Sequence, residues 1–184
     1  RIMYLIFTAS KDTYITNKII DSSFRATDAN VGQAGTIDIF KLYDEYNLVG
    51  DTGSIELSRG LVKFDLDPIK QLTGSIIDIN DSSFRVLMKM SNLIGGTAVP
   101  SDFNLEVAPL SRSFDEGSGR DLASFADLDV ANFVTSSVSG GSAVTWHVTG
   151  ANAGGLLGSS DIDFITSGTI DGTLTTLTAS QNFL

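Results

Sequence analysis

The chain has 184 residues, a formal charge of −10 from 12 basic and 22 acidic side chains, and no cysteine. Its length suits one β domain, and an acidic balance without any run of Lys or Arg excludes recognition of a phosphate backbone or an anionic bilayer. The missing thiols exclude disulfides, thiolate metal sites and a cysteine nucleophile.

In chain order, alternation of side chains predicts a first strand over residues 3–8. The apolar run from Ile2 to Phe7 behind Arg1 is too short for the core of a signal peptide, and no apolar run approaches the ~20 residues that span a bilayer. Further strands are predicted over 36–42 and 56–66. In the latter, Gly60, Val62, Phe64 and Leu66 share one face and Arg59, Leu61, Lys63 and Asp65 the other. Asp67-Pro68 ends it, because proline cannot extend a central strand, and a helical turn is expected over 68–72. Strands over 84–92 and 103–110 follow, then a turn of helix over 121–128 capped by Asp121, with Leu122, Phe125 and Leu128 on one side. The last strands are predicted over 143–149, 162–166 and 173–178. Gly95-Gly96, Gly140-Gly141, Gly154-Gly155 and Asp171-Gly172 separate elements, several of them able to take the positive φ of tight hairpins. Eight strands without alternating helices predict an all-β, antiparallel two-sheet sandwich with short helical connectors, one domain over 1–184. Phe64, Leu66, Leu87, Val107, Trp146 and Phe164 are its expected core.

His147 is the only histidine. Alternation turns Val144, Trp146 and Val148 inward and Thr145 and His147 outward, so Trp146 is expected in the core and His147 on the surface, without an elbow serine to serve. Tyr43 and Tyr46, beside the 44–54 loop, are the candidate contacts for a glycan or a protein partner. Asp28 with Asn30, Asp127 with Asp129, and Asp161 with Asp163 have the local spacing of calcium loops but not the full pattern. Turn and capping roles are expected, with a structural calcium left as the alternative and no other cofactor or metal. Asp115 and Glu116 are adjacent, so they point to opposite faces and cannot oppose one another across a sugar. Arg59, Arg112 and Arg120 are expected to fix loops through Asp65, Asp115 or Asp121. No acid, base and nucleophile converge in the sequence, and no enzymatic activity is expected.

Three segments carry a resemblance. Ala9-Ser10-Lys11-Asp12-Thr13-Tyr14-Ile15 with Asp28-Ala29-Asn30-Val31-Gly32, then Arg59-Gly60-Leu61-Val62-Lys63-Phe64-Asp65-Leu66, then Ser113-Phe114-Asp115-Glu116-Gly117-Ser118-Gly119-Arg120-Asp121 with Trp146 downstream, together resemble the DNRLRE-type β-sandwich domain. That domain is carbohydrate-module-like, and the same combination is similar to structural proteins of marine tailed phages. Phe114 departs from the family, where Trp is common. The resemblance implies a jelly-roll sandwich whose closing strands lie beyond Leu184. It also implies a non-enzymatic virion protein, assembled in the host cytoplasm and attached to the capsid or to the tail, collar or fibre apparatus. Its partners would be other virion proteins in a symmetric array. The alternative it implies is a carbohydrate-binding module or receptor-binding adhesin for a host surface glycan.

Overall fold

The computed structural model describes residues 4–45, 48, 50, 52–91, 93, 102–167 and 177–182. In chain order these form β1 (Ala9–Thr16), β2 (Ile19–Ile20), β3 (Phe24–Arg25), β4 (Lys41–Tyr43), β5 (Ile55–Phe64), α1 (Asp67–Leu72), β6 (Asp102–Val107), β7 (Thr135–Ser139), β8 (Ser142–Thr145), β9 (Gly154–Leu156), β10 (Phe164–Ser167) and β11 (Leu177–Asn182). The fold is all-β, with α1 the only helix among the described residues. The chain forms two compact units, one of residues 1–64 and 108–175, the other of 65–107 and 176–184.

The first unit is built on an antiparallel sheet in the order β1-β5-β4, with Tyr14 opposite Gly60 and Leu42 opposite Glu56. Strand β5 is the segment whose alternation was clearest in the sequence, and its two faces do different work. Leu61 is buried and joins Ile15, Phe114, Ala131, Trp146 and Ala151 in the apolar core. At Gly60, on the opposite face, a Cβ would stand 3.2 Å from Ile37 Cγ2. The missing side chain therefore lets the 36–40 segment lie close over the strand.

That segment is held by a side chain as well as by a backbone bond from Ser58 N to Phe40 O at 3.0 Å. Ser58 Oγ donates to Asp38 O at 2.5 Å and accepts from Phe40 N at 2.9 Å. A hydroxyl thus occupies backbone groups that a neighbouring strand would use, and of the expected 36–42 strand only Lys41 and Leu42 pair regularly, in a strand that runs on to Tyr43. On the same face of β5, Glu56 is fully buried; its Oε2 accepts from Ile19 N at 2.7 Å and its Oε1 has no partner.

Two hairpins close on residues with positive φ. A three-residue loop, Asp21 and Ser22 (φ 49° and 53°) with Ser23, joins β2 to β3, and a two-residue turn, Gly140 and Gly141 (φ 60° and 79°), joins β7 to β8. Strands β9 and β10 pair in parallel, and Leu110 bridges to Phe164.

In the second unit α1 is followed by turns, and β6 pairs antiparallel with β11. Several sequence expectations fail here for one reason: an apolar run becomes a strand only if another backbone pairs with it. Residues 84–91 form no strand, and Leu87, expected in the core, is 88% exposed; Leu66, also expected there, is 48% exposed. In the first unit, residues 4–8 likewise lack strand pairing, with Ile6 91% exposed. The helix expected over 121–128 is an Asx-type turn, in which Asp121 Oδ1 accepts from Ala123 N and Ser124 N but no helical turn propagates. Residues 3 and 92, the Gly95-Gly96 and Asp171-Gly172 separators and residues 173–176 of the last expected strand lie outside the described residues.

Candidate functional site

The site lies in the first unit, where the β7–β8 hairpin meets the segments around Arg112 and Asp163. Between Thr135 and Ser137 the ladder slips by one residue, so Ser136 is the extra residue of a bulge. Its hydroxyl donates to Val144 O at 2.9 Å. Strand β8 ends at Thr145, and Trp146 turns into the core, where its indole Nε1 donates to Asn132 O at 2.9 Å.

Beyond Trp146 the chain leaves the strand geometry, because one carboxylate gathers its backbone. Asp163 is fully buried and accepts from His147 N at 2.7 Å, Val148 N at 3.1 Å and Ala153 N at 3.0 Å. Val148 is consequently exposed instead of facing inward with Trp146. Arg59, whose partners were expected among nearby aspartates, instead reaches across to the same loop and donates to Gly150 O at 2.6 Å and Asn152 Oδ1 at 2.7 Å. Burial pulls the Arg59 guanidinium below its ordinary pKa, and the Asp163 charge works against that pull.

Arg112 also pairs with Asp163 rather than with Asp115, its Nε standing 3.7 Å from Asp163 Oδ1. Its Nη1 donates to Thr145 O at 2.6 Å and its Nη2 contacts His147 Nε2. A guanidinium has only donors, so Nε2 is the acceptor and the His147 proton sits on Nδ1. That Nδ1 is 3.9 Å from Asp161 Oδ1. In a Ser-His-Asp triad Nε2 would face the serine; here the Arg112 guanidinium holds that position.

Around Arg112 and His147 lies an open cleft of about 420 Å³. Six serines line it, Ser111, Ser113, Ser136, Ser137, Ser159 and Ser160, together with Val144 and Ile162. The Ser111 hydroxyl donates to Ile162 O and that of Ser160 to Asp161 Oδ2 at 3.1 Å. The surface is therefore rich in hydroxyls held at set positions.

No family model, curated protein or solved structure matches the chain.

The other residues singled out in the sequence resolve into structural roles or separate surfaces. Asn30, fully buried, donates to Glu116 O at 2.8 Å and Ala131 O at 2.9 Å and accepts from Gly32 N at 3.2 Å and Gly119 N at 2.8 Å. All four of its hydrogen-bonding positions are filled by protein. Asp115 Oδ2 accepts from Val138 N at 3.0 Å and Glu116 Oε1 from Asp12 N at 2.8 Å, so the two acids clamp different strands. Asp127 Oδ1 accepts from Asp129 N at 3.0 Å. Among the described residues no three His, Asp or Glu side chains gather to hold a metal ion. Tyr43 lies exposed on β4 with Lys41 Nζ 5.2 Å from its ring centre, and it does not line the cleft. Tyr46 lies outside the described residues. Sequence reasoning missed the serine cleft, since its serines come from segments far apart in the chain and no local pattern joins them.

Proposed function

We propose that the chain is a non-enzymatic structural protein of a tailed-phage virion, a two-sheet β-sandwich of jelly-roll type held to the capsid or to the tail, collar or fibre apparatus by protein–protein contacts. Coverage of both faces of β5, by the Trp146 core and by the 36–40 segment, supports the sandwich. The observation that carries the assembly role is the apolar surface of the second unit. Ile76, Val86, Leu87 and Leu93 are each more than 60% exposed. Burying a Val, Leu or Ile side chain contributes ~1.5–3 kcal/mol, so four of them represent roughly 6–12 kcal/mol of driving force that neighbours in a particle can use, before the costs of association. Where such side chains form one continuous surface, it marks an interaction site.

Quantitative mass spectrometry of purified particles tests the role. The chain is expected at a copy number that matches a symmetry of the capsid or tail; a chain absent from intact particles contradicts it. The alternative reading, a carbohydrate-binding module or receptor-binding adhesin, is favoured by a different observation, the hydroxyl-lined cleft. Both readings hold together if a fibre carries the domain.

A further inference from the structure

We infer that the cleft between the β7–β8 hairpin and the Arg112–Asp163 pair binds a neutral saccharide through its hydroxyl groups. The inference deepens the glycan-binding reading and rests on it, and it does not depend on residence in a virion.

The ligand class follows from the donors and acceptors that the cleft offers. Three serine hydroxyls have committed their protons, Ser111 to Ile162 O, Ser136 to Val144 O and Ser160 to Asp161 Oδ2, so each presents an oxygen that accepts. Ser113 and Ser159 are exposed and their hydroxyls make no hydrogen bond among the described residues, so they can both give and accept. Arg112 has five N–H groups, of which one points to Thr145 O, one to His147 Nε2 and one towards Asp163. Two remain, one on each terminal nitrogen, as donors for a ligand hydroxyl.

Charge decides against an anion. The Arg112 charge is offset by Asp163 at 3.7 Å, and Asp161, its side chain 89% exposed, stands beside His147. Arg112 lines the cleft and the carboxylates of Asp161 and Asp163 stand beside it, on a chain of formal charge −10. An acidic sugar would be repelled, whereas a polyol exchanges hydrogen bonds at no electrostatic cost. At about 420 Å³ the cleft falls within the ~300–1,000 Å³ of small-ligand sites, and Val144 and Ile162 offer apolar contact for the C–H face of a sugar ring.

The test is a titration of the intact chain against a panel of neutral oligosaccharides and uronic-acid-containing oligosaccharides, followed by calorimetry and NMR. Saturable binding to a neutral member is expected, weakened about tenfold by S113A with S159A, two exposed positions whose loss of hydroxyls leaves the melting temperature unchanged. Tyr43→Ala is expected to leave affinity unchanged. Binding that survives S113A/S159A but is lost in Tyr43→Ala overturns the cleft as the site while keeping the glycan reading. Binding confined to the uronic acids overturns the ligand class, and no binding to any member overturns the inference and the glycan reading together.

Discussion

Tyr14 shows how one side chain ties the β1 strand to the segment that covers β5. It is 5% exposed, and burial, reinforced by the Asp38 carboxylate and a hydrogen bond to it, pushes its phenol pKa up to about 12. The unfolded chain ionises near the ordinary value of 10 while the folded chain still holds the proton, so the folded state binds more protons between these values. The contribution is therefore complete below pH 10 and lost as pH rises to about 12, a fall of roughly 2–3 kcal/mol. Urea unfolding at intervals across that window should show the decline in the parent and a flatter profile in Tyr14→Phe; an equal slope in both would contradict the assignment. Asn30 is a second case at this scale. A Cβ on Gly119 would overlap Asn30 O, and one on Gly117 would overlap the Asn30 amide. The Gly-x-Gly of the acidic turn is thus required by the approach of a buried amide, and these glycines are a packing requirement rather than a phosphate cradle.

At the scale of elements, Asp163 decides the path of the 147–153 loop. It joins β10 to the end of β8 by accepting three backbone N–H groups, and Arg112 supplies the opposing charge. Asp163→Asn keeps one acceptor but aims an amide donor at N–H donors and removes the partner of Arg112. Breaking a buried pair in this way costs about 3–5 kcal/mol. The variant should lose stability on that order in urea, with faster amide exchange concentrated at His147, Val148 and Ala153; a loss under ~1 kcal/mol would show that the loop stands without it.

What the sequence revealed follows the same physics. Strand β5 was legible because Leu61, Val62 and Phe64 sit in an alternating run bounded by turn residues, although its buried face at Leu61 proved to be the one shared with Arg59 and Lys63. Strand β1 was missed since Ala-Ser-Lys-Asp-Thr begins it with small and polar residues. Strand β7 was missed because it buries hydroxyls, with Thr135, Ser136 and Ser137 all inside, and apolar periodicity cannot register them. The opposite error arose at 84–91, where apolar and β-branched residues lack a pairing partner. Trp146 was placed correctly by its flanking residues, but Val148 was not, since the carboxylate that turns the chain there is 15 residues further along. The serine cleft was illegible for a related reason, being assembled by hairpin and bridge contacts between distant segments.

At the scale of the whole molecule, both units expose apolar side chains, Ile6 of the first among them, but among the described residues every buried one belongs to the first. The first encloses Ile15, Leu61, Phe114 and Trp146 in a core closed by Arg59, Asn30 and Asp163. The second leaves Ile76, Val86, Leu87 and Leu93 in solvent. A low proportion of charged residues, 18% against the ~25% of ordinary soluble domains, leaves few desolvation penalties to oppose association. The central claim is that neighbouring proteins of a particle cover this surface. A three-dimensional map of the assembled particle, traced through residues 76–93, tests it most directly. The account predicts density from neighbouring chains packed over Val86 and Leu87 in symmetry-related copies; a chain found projecting with both side chains bathed in solvent would contradict it.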